Sequence, residues 1–261
     1  MESPLARLSV IVITKNEEPN VRECLESAKW ADEIIVVDAG STDKTVQIAR
    51  KFTRNVFVRP WEGFGRAKNF ALNHCSGDWI LWLDADERVA PELATEIRSV
   101  ISSGDQPFQG YSVPRKAFFL GKWIRHCGWY PGRVVRLFRK GSGSFTTHSV
   151  HERLTLRGKE GKLKTDLLHF TDPSLFHYFE KFNRYTSLAA DDRTDHGWRP
   201  GAGDLLLRPL WTFFRMYIFK LGFLDGVHGF ILCSNSAFYV FTKYAKSWER
   251  TKETSSRGTY K

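Results

Sequence analysis

The stretch LSVIVITKNEEPNVRECLESAKWADEIIVVD, residues 8–38, decides the fold class of this 261-residue chain. It begins with the apolar, β-branched run Leu8–Thr14 and ends with a second such run, Glu33–Asp38. Short apolar runs of this kind are typical of strands that are buried on both faces of a parallel sheet. Residues 17–28 between them carry apolar side chains at helical spacing. The order strand, helix, strand predicts a βαβ unit.

The same alternation continues to residue 101. Residues 55–58 and 79–83 predict two more strands. Three more helices are predicted: one that Ser41 or Thr42 can cap and that carries Val46, Ile48 and Ala49, and those at residues 65–75 and 91–101. Strands that alternate with helices form an open parallel sheet with helices on both faces. We therefore expect an α/β fold built on a Rossmann-like, mostly parallel sheet.

Beyond residue 108 the pattern changes to strands without intervening helices. Residues 110–119 and 133–139 predict two strands that extend or flank the sheet. We expect one α/β domain over residues 1–170 and a separate helical region over residues 171–261.

The C-terminal region, residues 171–261, predicts a helical appendage that is rich in aromatic side chains and cations, above all at residues 205–248. Helices of this kind can lie in a bilayer interface with their aromatic rings at headgroup depth. Alternatively, the aromatic residues pack on the catalytic domain or on a second subunit in a homo-oligomer. The longest stretch without a charged side chain, residues 226–242, is too short and too polar for a convincing membrane span.

The composition places the chain among globular proteins of a reducing compartment. Hydrophobic residues make up 42% of the chain, which excludes wholesale disorder. The four cysteines are widely spaced and form no CxxC pair, which argues against a zinc site and against a disulfide framework. The first eight residues contain no apolar segment typical of a signal peptide, so we expect a cytoplasmic protein.

The positive charge is concentrated in the middle of the chain. The formal net charge is −4 for residues 1–110, +10 for residues 111–170 and +4 for residues 171–261. Such a concentration usually meets an anionic partner, which could be nucleic acid, an acidic membrane or a phosphorylated substrate. Alternatively, it forms a solvated face without a partner.

The strongest chemical signal is the pair Asp84 and Asp86, which directly follows the strand predicted at residues 79–83. Ligands of open parallel sheets bind beyond the carboxyl ends of the strands. Two carboxylates at that edge can hold Mg²⁺ or Mn²⁺ through oxygen ligands, and the cation can neutralise the charge of a departing diphosphate. A polar strand end without function is the alternative for an isolated DxD.

Two other strands end in polar residues at the same edge. Asp38 ends the second strand, where its carboxylate can accept from a base N–H or a ribose hydroxyl, and Gly40 allows a tight turn into the next helix. The first strand ends in Thr14 and is followed by Asn16 and Glu17. Together with Asp84 and Asp86, these residues predict a nucleotide site.

Basic residues supply candidate phosphate ligands. We interpret Arg133, Arg136 and Arg139 as lying on one face of the strand at residues 133–139, an arrangement that suits bidentate phosphate recognition. The alternative is an edge strand protected by charges. Lys68 either meets phosphate or is an ordinary surface lysine.

Four motifs in this order and spacing resemble the inverting family 2 glycosyltransferases of the GT-A fold. The resemblance covers about residues 8–105, and its motifs are VITKNEE, VVDAGSTD, GRAKNFAL and GDWILWLDADE. It implies a UDP-sugar donor, with Asp38 at the uracil, Asp84 at the ribose and metal region, and Asp86 at the metal.

Three looser downstream motifs, WYPGRVVRLFRK, SVHERL and LGFLDGVHGF, resemble the bacterial enzymes that transfer glucose to heptose in the lipopolysaccharide inner core. An inverting transfer needs a general base for the acceptor hydroxyl. Glu152, one of three acidic residues between 111 and 170, is the best candidate, and the resemblance also places the base there. Glu152 could instead pair with a neighbouring arginine. His148 and His151 are either metal ligands or structural residues.

The sequence therefore predicts a metal-dependent inverting glycosyltransferase that acts on an anionic, lipid-linked acceptor at the cytoplasmic face of the inner membrane. The favoured reaction is transfer from UDP-glucose to the lipopolysaccharide inner core, and the alternative is transfer to polyprenyl phosphate. A non-catalytic basic module that binds membrane or nucleic acid would explain the charge but not the acidic strand ends. We expect no nucleic-acid partner.

Overall fold

The computed structural model describes residues 6–104, 107–146, 153–195 and 197–258, with side chains as far as residue 252. Two compact units emerge from the contacts between residues. The first combines Met1–Lys116 with Gly132–Phe170, and the second combines Ala117–Pro131 with Thr171–Lys261. The sequence predicted a single boundary at residue 170, whereas these contacts group Ala117–Pro131 with the C-terminal residues.

The secondary structure alternates strands and helices at first and becomes helical after residue 175. The strands are β1 (Leu8–Thr14), β2 (Glu33–Asp38), β3 (Val56–Val58), β4 (Trp79–Asp84), β5 (Glu87–Val89), β6 (Phe108–Val113), β7 (Arg115–Phe119), β8 (Lys122–Trp123), β9 (Val134–Arg139), β10 (Gly143–Phe145), β11 (Leu154–Leu156), β12 (Lys159–Lys162) and β13 (Leu167–Asp172). The helices are α1 (Val21–Ser27), α2 (Thr45–Ala49), α3 (Phe64–His74), α4 (Pro91–Ser102), α5 (Leu175–Asp195), α6 (Ala202–Phe214) and α7 (Gly226–Gly258).

The first unit is built on a seven-stranded sheet in the order β12-β6-β9-β4-β1-β2-β3. Four neighbouring strands, β4, β1, β2 and β3, are parallel to one another. β9 runs antiparallel to β4 and β6, and β12 is parallel to β6. The predicted mostly parallel sheet is thereby confirmed. Next to it, β13 pairs with β5.

Two apolar cores cover the two faces of this sheet. Alternate residues of β1 enter different cores because successive side chains of a strand point to opposite faces. Val10 and Val12 pack with apolar residues of α1, α2 and α4, whereas Ile11 and Ile13 pack with Ala71 of α3. Helices on both faces are therefore confirmed.

One predicted strand is divided. Residues 110–119 were expected to form a continuous strand, but β6 ends at Val113 and β7 begins at Arg115. Pro114 lies at the break, since proline has no N–H for a ladder hydrogen bond and is excluded from strand interiors.

The second unit contains the predicted aromatic helices. α6 and α7 pack against each other, and α5 packs on α7. A π-helical turn, Arg215–Phe219, and a 3₁₀ turn, Gly222–Asp225, connect α6 to α7. Within the described part of the chain, no single helix is long and apolar enough to cross a membrane. The pair Ala202–Phe219 and Gly222–Lys252, bent by 72°, meets the length and composition criteria jointly.

Candidate active site

The register of three neighbouring strands brings the predicted nucleotide residues to one edge of the sheet. β1 lies between β2 and β4, with Thr14 paired to Asp38 and Ile13 paired to Asp84. Because the strands are parallel, all three carboxyl ends lie at the same edge. Two strand spacings of about 4.8 Å separate Asp38 from Asp84, or roughly 10 Å across the sheet.

Asp38 is fully buried at the end of β2. Its Oδ2 accepts hydrogen bonds from Thr14 Oγ1 at 2.8 Å and from Ser41 Oγ at 2.6 Å, and its Oδ1 accepts from Ser41 N at 2.7 Å. A cleft beside it is lined by Arg59, Trp61 and Arg66. Arg59 and Trp61 were not predicted as site residues, and Arg66 was noted only as part of the motif GRAKNFAL. An aromatic residue between two arginines after a strand end is a signal that could have identified them.

The residues after β1 connect that strand to the turn between β2 and α2. Asn16 adopts a left-handed backbone conformation with φ 54°, and its Oδ1 accepts from Thr42 N at 2.9 Å. Glu17 N donates to Thr45 Oγ1 at 2.8 Å. Gly40 has φ 76°, which confirms the expected need for glycine in this turn. In this structure Asn16 and Glu17 shape this edge of the sheet through these contacts.

Asp84 lies between two cations that sit against one tryptophan. Arg136 Nη2 donates to Asp84 Oδ2 at 2.6 Å, and Lys68 Nζ lies 3.8 Å from Asp84 Oδ1. The Trp82 ring centroid is 3.9 Å from Lys68 Nζ and 3.5 Å from Arg136 Cζ. Burial would raise the pKa of Asp84, but the charges of Arg136 and Lys68 hold it far below its usual value. Asp84 is therefore ionised and forms ion pairs with both cations.

Glu87 is a fully buried acid that the sequence analysis did not select. Its carboxylate accepts from Arg136 Nη2 and, at 3.0 Å, from the backbone N–H of Asp84. Burial raises the pKa of Glu87, and Arg136 opposes that effect only in part. Glu87 thus positions Arg136 and the backbone of the Asp84 loop from below the surface.

Asp86 lies beside a histidine from a distant strand. His169 Nε2 is 3.4 Å from Asp86 Oδ2, and both side chains are largely buried. The contact arises because β13 pairs with β5 and Phe170 N donates to Asp86 O at 2.9 Å. Burial lowers the pKa of His169, but its hydrogen bond to Asp86 raises it above the usual value. His169 was missed because nothing near it in the sequence marks it.

Asp86 and His169 fit one side of a divalent metal site. A carboxylate and an imidazole suit Mn²⁺, and such ions commonly take their remaining ligands from substrate phosphates and water. Among the described residues, no cluster of three or more His, Cys, Asp or Glu side chains has the geometry of a metal site. The Asp84 carboxylate is engaged by Arg136 and Lys68, so Asp86 and His169 are the residues of this edge that could hold such an ion.

The prediction that Arg133, Arg136 and Arg139 lie on one face of a strand is wrong. Side chains of a strand alternate with period two, so residues three apart lie on opposite faces. Arg136 is fully buried, and Arg139 lies on the other face with Cζ 4.6 Å from the Trp79 ring centroid. Arg133 Nη1 donates to Leu163 O at 2.9 Å. The edge-strand alternative is also wrong, because β9 lies between β4 and β6.

The structure excludes one of the two alternatives for Lys68, which were a phosphate contact and an ordinary surface lysine. Lys68 is 1% exposed, which excludes an ordinary surface lysine. Its ammonium group lies over Trp82 and close to Asp84, the position described above. The remaining candidates, Glu152, His148 and His151, lie outside the described residues.

The chain is similar to one protein family and to proteins that match nearly its whole length. The family model described as "Glycosyl transferase family 2" matches residues 9–157. The chain is 32% identical over 254 residues to the lipopolysaccharide core biosynthesis glycosyltransferase LpsC of Rhizobium meliloti, covering 95% of this chain and 94% of LpsC. It is 31% identical to an uncharacterised glycosyltransferase of Rickettsia typhi, covering 93% of this chain and 87% of that protein.

Among solved structures, residues 1–349 of S. aureus TarS in complex with UDP-GlcNAc are similar to this chain with a TM-score of 0.49 and 17% identity, covering 97% of this chain and 92% of that one.

The family match extends over β1 to β11, and so includes the strand ends that carry Asp38, Asp84 and Asp86. The resemblance read from the four motifs is confirmed: the chain belongs to glycosyl transferase family 2 and is a glycosyltransferase.

Proposed function

We propose that this glycosyltransferase uses a metal-bound UDP-sugar, with UDP-glucose as the favoured donor, and inverts the anomeric centre. The observation that carries the proposal is the placement of Asp38 and Asp84 at one sheet edge, two strands apart. A nucleoside diphosphate spans that separation of roughly 10 Å, with its base beside Asp38 and its diphosphate beside the Asp84 loop. The side chains of Arg59, Trp61 and Arg66, which line the cleft beside Asp38, would then lie next to the base.

The diphosphate end of the proposed site combines a metal position with buried cations. Asp86 and His169 would hold Mn²⁺ or Mg²⁺, which supplies electrostatic stabilisation of the departing UDP. Lys68 and Arg136 place two positive charges against the carboxylate of Asp84. Their burial keeps them in place before the donor arrives, and such preorganised charges contribute most to stabilising a transition state.

We further propose Glu152 as the general base. In an inverting transfer the acceptor oxygen forms a bond to the anomeric carbon while the bond from that carbon to the diphosphate oxygen breaks. The proton of the acceptor hydroxyl goes to the base. This assignment is supported by the resemblance of SVHERL to the family motif.

The acceptor that we propose is the inner core of lipopolysaccharide, at the cytoplasmic face of the inner membrane. It is supported by the near full-length similarity to LpsC, a protein named for lipopolysaccharide core biosynthesis. The net charge of +10 on residues 111–170 suits an acceptor that carries phosphate.

The test is a product screen by mass spectrometry. Purified protein would be incubated with one UDP-sugar at a time, with Mn²⁺ or Mg²⁺, and with either inner-core lipopolysaccharide or polyprenyl phosphate. We expect a mass increase of one hexose on the lipopolysaccharide with UDP-glucose, and none in excess chelator. Transfer to polyprenyl phosphate alone would overturn the acceptor, and full activity in chelator would overturn the metal.

A further inference from the structure

Exposed apolar side chains of the second unit are concentrated in one short segment. Twelve of the twenty large hydrophobic residues that are exposed in the described part of the chain fall between residues 206 and 230, and these twelve are 44–70% exposed. They are Leu206, Leu207, Leu210, Trp211, Phe214, Ile218, Phe219, Leu221, Phe223, Leu224, Val227 and Phe230. We call this set the apolar face. A contiguous apolar surface of this kind marks an interaction site.

Part of the apolar face forms a stripe along α6 and the π-helical turn that follows it. Residues 207, 211, 214 and 218 follow one another at intervals of three or four, so they lie on one side of the helix. The adjoining turn exposes Leu221, Leu224 and Val227. α6 packs on α7, and its half-buried residues 205, 209 and 212 lie on the side of the helix opposite to the stripe. The stripe is thus the outer surface of the α6–α7 hairpin and its connecting turn.

The exposed charges on this segment have one sign. Four charged residues occur between 205 and 242, namely Arg208, Arg215, Lys220 and Asp225. The three cations are exposed, whereas Asp225 is 2% exposed. Arg208 Nε bonds to Asp204 Oδ1 at 2.5 Å, which leaves Arg215 and Lys220 as the cations of the turn. An anionic partner is complementary to this surface.

The turn that carries the apolar face is held by buried contacts. Asp225 Oδ2 accepts from His126 N at 2.8 Å, and Lys122 Nζ donates to Asp225 O at 2.8 Å. Gly222 and Gly229 pack so closely that a Cβ on Gly229 would lie 2.0 Å from Gly222 O. These contacts hold the backbone from which the exposed side chains project.

We propose that the apolar face docks on an anionic lipid bilayer, with the turn immersed at the boundary of headgroups and acyl chains and with Arg215 and Lys220 at the lipid phosphates. Aromatic and aliphatic side chains flanked by cations are the composition of interfacial helices. A second copy of the chain fits less well. A twofold dimer would bring the same face, with its unpaired cations, against itself. The inference deepens the proposed membrane-borne acceptor, but it can be tested without any acceptor.

Vesicle flotation of the full chain tests the inference. Wild type should float with vesicles of phosphatidylglycerol and phosphatidylethanolamine, and a fraction should stay bound at 1 M salt, where the Debye length is about 3 Å. The triple substitution Phe219→Ser, Leu224→Ser and Val227→Ser should lower the partition coefficient by about tenfold or more, because apolar burial is lost. Arg215→Gln with Lys220→Gln should weaken binding at low salt only.

The matched control is Phe176→Ser, which removes an aromatic residue that is 76% exposed on α5, outside the apolar face. It should float like wild type. Binding of UDP should be the same in all variants, so a failure of the donor assignment would appear in wild type and would not be confused with a failure here.

A labelled cysteine reports insertion directly. The four native cysteines are buried, so Leu224→Cys offers one accessible thiol for an environment-sensitive fluorophore. Nitroxide-labelled lipid should quench this fluorophore but not the same fluorophore at Phe176→Cys. Absence of vesicle binding by wild type, or equal binding by the triple variant, would overturn the proposal. A dimer that the triple variant dissociates, without any vesicle binding, would show a protein interface instead.

Discussion

At the scale of single residues, the site depends on how charges are paired at the end of β4. Trp82 lies against both Lys68 and Arg136, and its Nε1 donates to Val135 O at 2.7 Å, which fixes the ring. A cation on an aromatic face gains electrostatic stabilisation, the more so when it is desolvated. Asp84 and Glu87 then balance the charge of Arg136.

Replacing Arg136 should destabilise the fold. Removing one partner of a buried ion pair leaves an uncompensated charge, and this costs about 3–5 kcal/mol. We expect Arg136→Met to lower the free energy of unfolding by about 3 kcal/mol, near the lower end of that range. The loss should be limited because Glu87 has a raised pKa and can take up a proton. Urea unfolding would measure it. Arg139→Met, on the half-buried neighbour over Trp79, is the control and should cost far less.

Replacing Asp86 should remove activity without unfolding the protein. Changes that merely perturb the surroundings of a metal ligand lower metal affinity or activity about 10–100-fold, so loss of a ligand should exceed that. We expect Asp86→Ala to lose Mn²⁺ binding in calorimetry and transfer in the product assay. Asp78→Ala, at the start of β4, should retain both. Mn²⁺ binding of wild-type strength in Asp86→Ala would exclude this residue as a ligand.

Replacing Glu152 should affect the chemical step and leave donor binding intact. Loss of a general base typically lowers the rate about 10²–10⁴-fold, which is the effect expected on kcat for Glu152→Gln. The UDP-sugar affinity should barely change, since the base acts on the acceptor. Glu160→Gln, an exposed acid on β12, provides the comparison. An unchanged kcat together with a large rise in donor Kd would show that Glu152 binds the donor.

At the scale of elements, the turn between β2 and α2 is shaped by its contacts with the end of β1. Asp43 Oδ1 accepts from Thr45 N at 3.0 Å at the start of α2, and Asp43 Oδ2 accepts from Glu18 N at 3.1 Å. One carboxylate therefore connects two chain segments that are distant in sequence. The turn needs a left-handed residue at Gly40 because the strand ends and the helix starts within a few residues.

Gly40→Ala isolates the backbone cost of this turn. An added Cβ would meet no atom within 4 Å, so the substitution introduces strain at φ 76° without a steric clash. A left-handed conformation costs a non-glycine residue about 1–2 kcal/mol, which is the expected loss in urea unfolding. Gly104→Ala is matched, since its Cβ also meets nothing within 4 Å and its φ is not positive. A loss of the same size in both variants would refute this explanation.

At the scale of the whole molecule, the net charge is distributed unevenly along the chain. Residues 1–110, which include Asp38, Asp84 and Asp86, carry a net charge of −4, whereas residues 111–170 carry +10. In the proposed reaction, binding of the anionic donor would depend on a metal and on the local cations Lys68 and Arg136, whereas long-range attraction toward an anionic acceptor surface would come from residues 111–170.

Salt should separate these two contributions. Raising the ionic strength from 0.05 to 0.5 M shortens the Debye length from more than 10 Å to well below 8 Å. We expect transfer to acceptor in anionic vesicles to fall several-fold, while transfer to the same acceptor in neutral detergent changes little. An equal fall in both assays would assign the salt effect to the donor site or to the chemistry.

The sequence alone determined the elements and the sheet edge of this protein, because those depend on local patterns. Apolar runs and helical spacing identify β1, β2, β4 and their helices, and the carboxylates that follow the strands must then meet at one edge. The same patterns, with the family motifs, indicated a glycosyltransferase before any fold was known. The domain extent and the roles of the individual site residues remain predictions.

Only the tertiary structure decided which side chains meet. His169 reaches Asp86 because β13 pairs with β5. Lys68 and Arg136 share Trp82 because α3 packs on the sheet face that carries Trp82 and β9 is the neighbouring strand of β4. Cys127 and Cys233, with sulfur atoms 3.6 Å apart, are separated by 106 residues. Such contacts depend on strand order and on which face each side chain takes. A sequence specifies these jointly, through the packing of the whole core, and no local pattern reveals them.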